Sequence, residues 1–219
     1  MSLLVAIEGG DGAGKATAAA AVAARLAARG RRATVLSFPR YAETAGGWAL
    51  GEHLAGRLPR PVTAQAAAVL YALDRLESRP ALLDAMERHD VVVLDRYIAS
   101  NLAYQGAQAG DGADALMRWA WALETDTFAL PAPDLQVYLA TPVDVARALI
   151  AKKRRRSYTD ETYDQYEADL ALQARVRENY AALAASGWAG RWATVETTRD
   201  GALRTPEEIA EEIVNFLSL

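Results

Sequence analysis

Glycines at positions 9, 10, 12 and 14 lead directly into Lys15. That combination suits phosphate chemistry. Glycines let the backbone turn tightly with its N–H groups pointing inward at an anion. A lysine behind them sets a full charge beside the outer phosphates. The stretch Glu8-Gly9-Gly10-Asp11-Gly12-Ala13-Gly14-Lys15-Ala16-Thr17 fits the phosphate-loop pattern except at its last position. The pattern asks there for Ser or Thr, whose hydroxyl holds Mg²⁺. Ala16 has no hydroxyl, and Thr17 lies about 100° further round a helix and points elsewhere. An ATP-binding loop is therefore expected over Gly9, Gly10, Asp11, Gly12, Ala13, Gly14, Lys15, Ala16 and Thr17.

Other residues of the right types recur along the chain. Phe38-Pro39-Arg40-Tyr41 follows an apolar run, and ligands collect at the carboxyl ends of strands in open α/β sheets. Asp95 ends a second such run, where a second acidic group sits close to Mg²⁺ and its waters, and Arg96 beside it faces the ligand cleft. Tyr71 and Arg75 are four apart and share a helix face. A ring and a guanidinium so placed can stack on and hydrogen-bond to a nucleobase, but an aromatic at the core edge beside a surface arginine is the commoner meaning of that spacing. Ser100, Asn101 and Tyr104 follow on an expected helix. Asparagine can read a base edge, and a tyrosine hydroxyl can contact a sugar. Lys152-Lys153-Arg154-Arg155-Arg156 is a run of five cations, expected to form a basic lid over polyphosphate.

The elements that must hold these residues follow from periodicity. Strands are expected at Leu3–Ile7, Ala33–Phe38, Asp90–Tyr97, Pro133–Ala140 and Ala193–Glu196. Helices are expected over 15–29, 46–58, 63–88, after Tyr97, around Trp119 and Trp121, after Pro142, and over 160–186. Pro80 is expected to interrupt its helix, and Gly106 to Gly112 reads as a loop. Thr205-Pro206-Glu207-Glu208 opens a capped last helix. The order predicts an α/β phosphate-loop kinase fold with a five-stranded parallel sheet flanked by helices. One domain over 1–219 is expected, with a lid at about 150–161.

Composition narrows the functions. The 219 residues are 52% apolar, enough for a full core, and the net charge of −4 argues against general nucleic-acid binding. With no cysteine and two histidines, thiolate chemistry is excluded and a histidine-based metal site or triad disfavoured. No run of about 18 apolar residues occurs, so no membrane span, no signal peptide and a cytoplasmic location are expected.

Together these residues resemble the thymidylate kinase family, most closely its actinobacterial members. The likeness rests on Glu8 to Lys15, Phe38 to Tyr41, Leu73-Asp74-Arg75, Leu94 to Asn101 and Tyr166-Glu167, in family order across nearly the whole chain. It implies transfer of the ATP γ-phosphate to dTMP with Mg²⁺, and a homodimer. By resemblance, Asp11 lies near the sugar 3′-hydroxyl and the magnesium shell. Tyr41 and Arg96 hold the 5′-phosphate, with Phe38 and Arg40 beside them. Tyr71 stacks on thymine where the family usually has Phe. Arg75 reaches a thymine carbonyl, Asn101 the N3 edge, and Tyr104 the sugar 2′ position, next to Ser100. Tyr166 and Glu167 lie near the base and the acceptor-side magnesium, so Asp11, Asp95 and Glu167 are the implied metal carboxylates. With Gly12 in the loop, the chain resembles members that carry the catalytic arginine in the lid, at Arg154 or Arg156.

Two other readings stay open at this point. One is a kinase of another nucleotide or of a deoxynucleoside, against which the phosphate-holding Arg40, Tyr41 and Arg96 argue. The other, motivated by Ala16, is a nucleotide-binding regulator without catalysis.

Overall fold

The apolar runs form a parallel sheet in the computed structural model, which describes residues 2–156 and 169–217, with the backbone alone at 152–156. The strands are β1 (Leu3–Glu8), β2 (Ala33–Ser37), β3 (Val91–Asp95), β4 (Leu135–Ala140) and β5 (Trp192–Glu196), in the order β2-β3-β1-β4-β5. All four pairings are parallel, and the register sets Ile7 opposite Asp95. β1 is central, with β3 and β4 on either side, so the chain changes direction of build around it. Such a switch point opens a crevice at the carboxyl ends of the strands.

Alternating side chains divide the core between two faces. Val5, Ile7, Val91, Val93, Leu135 and Val137 meet α1 (Lys15–Ala28) and α8 (Pro206–Phe216). Leu4, Ala6, Val92, Leu94 and Tyr138 meet α3 (Ala64–Arg88), α4 (Ile98–Ala109) and α7 (Leu170–Ser186). Strands buried on both faces are what near-continuous apolar runs specify. Of two further helices, α2 (Ala45–Leu54) packs on α3 and α5 (Ala113–Ala122) on α4, and α6 (Val143–Arg156) follows β4. Thr205 and Glu208 form the expected capping box, with Pro206 at the first helical position.

Several expectations need correction. α3 runs unbroken through Pro80: Ser78, Leu82 and Ala85 are all buried, and their packing outweighs one lost hydrogen bond. Gly106 is not in a loop. α4 continues to Ala109, a 3₁₀ turn follows at Gly110–Gly112, and a Cβ at Gly106 would stand 3.0 Å from Met117 of α5. The helix read as starting at Gly46 starts at Ala45, capped by Thr44, and stops at Leu54. α7 is described from Leu170, capped by Asp169; residues 160–168, given to the same helix by periodicity, lie outside the described residues. A short antiparallel pair, β6 (Thr198–Arg199) with β7 (Ala202–Leu203), carried no clear signal. Trp121 packs against Trp188 with ring centroids 6.0 Å apart. No helix among the described residues is long and apolar enough to cross a membrane.

Candidate active site

The phosphate loop leaves the carboxyl end of β1. Gly9, Gly12 and Gly14 all adopt positive φ (149°, 78° and 82°), and Gly14 is the residue from which α1 starts. Only glycine enters these conformations at little cost. The first-turn N–H groups of α1 thus face the loop, where the helix dipole favours an anion. Lys15 is buried and folds back over the loop, its Nζ donating to the Gly10 carbonyl at 2.8 Å. Burial, followed by the charge of Arg96, pushes its pKa down to about 8 against the opposing pull of Asp11, Asp95 and Glu8. Ala16 and Thr17 are exposed on the opening turn of α1.

Arg96 follows β3 with a φ of 67°. A left-handed conformation in a residue with a full side chain is strained and survives where neighbours over-determine it. The end of β1 does so from both sides: the Arg96 N–H donates to Ile7 O at 3.1 Å, and the next N–H, of Tyr97, donates to Glu8 Oε1 at 2.8 Å. The guanidinium is thereby aimed back at the loop. It pairs with Asp11 Oδ1, lies 5.3 Å over the Tyr104 ring, and reaches Ser100 Oγ at 3.4 Å. Gln173 of α7 holds the other Asp11 oxygen at 2.7 Å. Burial pushes the Asp11 carboxyl up, but Arg96 and Lys15 prevail and hold it at about 2. Asp11 is therefore charged across the physiological range, and Arg96 stays aimed.

Beneath this pair Glu8 is fully buried, and Ser100 Oγ and Tyr180 OH reach its Oε2 at 2.7 and 3.0 Å. Burial raises its pKa above 4.5, against the hydrogen bonds and Arg96. Near the end of β2, buried Asp74 accepts the Arg40 N–H with both oxygens, at 3.2 Å each, and Thr44 Oγ1 at 2.5 Å. It thereby fixes the turn after β2. The Arg40 side chain pairs with Glu43, Tyr41 is 46% exposed, and Phe38 is buried with its ring 5.8 Å from that of Tyr97.

The structure thus brings together Asp11, Lys15, Asp95, Arg96, Ser100 and Tyr104. Arg75 and Asn101 also meet, both buried, through Glu124. Tyr71 is half-buried on the same helix as Arg75. Tyr166 and Glu167 lie outside the described residues, as do the side chains of Arg154 and Arg156. Sequence reasoning assigned no role to Glu8, Asp74, Glu124, Gln173 or Tyr180. Glu8 offered a signal, a charge closing an apolar strand. So did Gln173, which shares the inner face of α7 with Val176, Tyr180 and Leu183.

A phosphate loop facing a fixed arginine across a switch-point crevice is the frame of a phosphoryl transferase, and known proteins narrow it. A family model described as thymidylate kinase matches residues 7–207. The chain belongs to the thymidylate kinase family. It is 38% identical to the thymidylate kinase of Mycobacterium tuberculosis, over 94% of this chain and 99% of that one. It is 35% identical to that of Leifsonia xyli, over 96% and 92%. Its fold matches the solved thymidylate kinase of Candida albicans with a TM-score of 0.69 and 23% identity, over 99% and 91% of the two chains. Phosphorylation of dTMP, with ATP as phosphate donor, is the function of the thymidylate kinase family.

Proposed function

We propose that this chain transfers the γ-phosphoryl group of ATP to dTMP through the residues described above. The observation that carries the site assignment is Arg96, held in a strained conformation and aimed by Asp11 across the phosphate loop. The loop N–H groups and Lys15 cradle the ATP phosphates. Arg96 grips the acceptor phosphate, with Tyr41 and Arg40 at the mouth, and Asp11 keeps Arg96 oriented. The acceptor is a phosphate oxygen, already anionic, so no general base is required. Positioning and charge stabilisation remain for the protein to supply. The lid run, through Arg154 or Arg156, adds positive charge where negative charge spreads over the transferred group.

Among the described residues no group of three or more His, Cys, Asp or Glu side chains is placed to hold a metal. Magnesium seldom needs one. It takes one or two carboxylates, waters and the substrate phosphates. Asp95 and Asp11, both acting on Lys15, provide hard oxygen donors in that number, with Glu167 a third in this proposal. Asp11, Asp95 and Glu167 would hold magnesium in place of the loop hydroxyl that Ala16 lacks, and the ion would supply charge neutralisation for the phosphate oxygens. A homodimer in the cytoplasm belongs to the same proposal. Trp48 of α2, 62% exposed, and Val69 of α3, 40% exposed, offer apolar surface for a second copy.

The test is ADP release with ATP and Mg²⁺ against dTMP, dUMP, dCMP, dGMP and thymidine. Fastest turnover with dTMP is expected. Faster turnover with another acceptor transfers the proposal to that substrate. Binding of ATP and dTMP without turnover makes the chain a regulator.

A further inference from the structure

Glu124 lies outside every motif named above and is fully buried. A buried carboxylate is costly unless paired and hydrogen-bonded. This one is engaged on both oxygens. Oε1 accepts Arg75 Nη2 at 2.7 Å and Asn101 Nδ2 at 2.9 Å, while Oε2 accepts Arg75 Nε. Its backbone forms a π-helical turn, Leu123–Thr127, an irregularity frequent at functional sites.

Asn101 is the informative partner. Its Nδ2 donates to Glu124 and also to the Ala68 carbonyl at 3.0 Å. Ionised carboxylate and carbonyl are acceptors only, so the amide is oriented with its nitrogen toward them and its oxygen away. That oxygen is buried and has no hydrogen-bond partner. A buried acceptor without a donor calls for explanation, and an N–H from a ligand would satisfy it.

We propose that Glu124 sets the hydrogen-bond polarity of the base pocket. It keeps Asn101 presenting an acceptor, and it holds in place beside it the guanidinium of Arg75, which can only donate. A pyrimidine with a ring N–H beside a carbonyl, the pattern of thymine and uracil, complements that arrangement. Cytosine opposes it at both points, with an unprotonated ring nitrogen and an amino group. Glu124 is a positioning residue: it touches no substrate and acts through Arg75 and Asn101. The location of the base rests on the dTMP proposal above; the orientation of the amide does not.

Glu124→Gln tests this, because glutamine offers Asn101 a donor and lets its amide turn over. Turnover of dTMP, dUMP and dCMP at saturating ATP is compared with wild type, together with KM for ATP and the denaturation midpoint. The ratio of kcat/KM for dTMP over dCMP is expected to narrow roughly 10- to 100-fold, the discrimination expected of a good bidentate base contact. KM for ATP stays unchanged, which a general structural defect would not produce. An unchanged ratio in a folded variant overturns the proposal. If the variant does not fold, a crystal structure of the wild type with dTMP decides. Asn101 Nδ2 leaving Glu124, or its oxygen accepting no base N–H, overturns the proposal. If the wild type fails to phosphorylate dTMP, the functional reading falls separately. Calorimetric affinities for dTMP and dCMP then judge the polarity, and equal values overturn it.

Discussion

Replacing Glu8 with alanine removes one acceptor shared by three donors: the Tyr97 N–H at 2.8 Å, Ser100 Oγ at 2.7 Å and Tyr180 OH at 3.0 Å. Ser100 and Tyr180 lie 2.8 Å apart and still bond each other. Two donors are therefore stranded, the Tyr97 amide and one hydroxyl. Each buried donor without a partner costs about 1–3 kcal/mol, and the vacated volume adds a cavity term. The expected loss is about 3–5 kcal/mol, a large share of the roughly 5–15 kcal/mol typical of a folded protein. Glutamine behaves differently. Its oxygen takes the Tyr97 N–H, and its NH₂ donates to the two hydroxyl oxygens. It also removes a titration. Burial raises the Glu8 pKa above 4.5 in the fold. The folded state therefore keeps its proton after the unfolded chain has lost one, and the wild type loses stability as pH rises through that interval. Glu8→Gln has no such loss, so its stability relative to wild type improves as pH rises from about 4.5 through the raised folded value. Urea unfolding of wild type and both variants across that range reads the effect, with dTMP-dependent ADP release measured alongside. An alanine variant within about 1 kcal/mol of wild type refutes the reasoning. So does a glutamine variant whose relative stability falls as pH rises.

Three further outcomes follow from the same geometry. Arg96→Ala is expected to lower dTMP turnover by roughly 10²–10³-fold, the value of one well-placed donor, with the fold retained by circular dichroism; near-normal turnover removes Arg96 from the site. Lys15, with its pKa pushed down to about 8 by burial and then Arg96, loses its charge as pH rises through that value. kcat/KM for ATP in the free enzyme should fall above it, and a profile flat well into the alkaline range contradicts the assignment. Gly12→Ala sets a Cβ 2.3 Å from the Ala146 carbonyl at a φ of +78°. A loss of about 1–3 kcal/mol is expected by thermal melting, together with weaker ATP binding; an unshifted melting temperature shows that α6 does not rest on the loop.

The phosphate loop and the sheet were legible because each uses residue types with few other purposes. Spaced glycines before lysine, and β-branched runs such as Val91-Val92-Val93, admit few readings. What escaped was decided by tertiary contact. Pro80 reads as a helix stop, yet the buried residues around it hold α3 together. Gly106 reads as a loop residue, yet it stands inside α4, where a Cβ would crowd the Met117 side chain of α5 at 3.0 Å. Glu124 stands in Leu123-Glu124-Thr125-Asp126-Thr127, a polar stretch like any surface turn. Its burial follows from Arg75 and Asn101, 49 and 23 positions away. Arg75, which spacing alone left as either a surface residue or a base contact, is buried against that carboxylate.

The contact between Gly12 and α6 has a consequence for how the chain can vary. On the helix side it is made by the Ala146 carbonyl, a group every amino acid carries, and by the side chain of Ile150. Ala146 is itself buried, so the positions of α6 free to change without disturbing this seat are those facing away from the loop. The loop has no such freedom, because any residue with a side chain at position 12 must displace the helix. A basic side chain is therefore more readily gained on the outward face of α6 than at position 12 of the loop. Variation among chains built this way should collect on α6 at positions other than Ala146 and Ile150, where a change of side chain costs the architecture least.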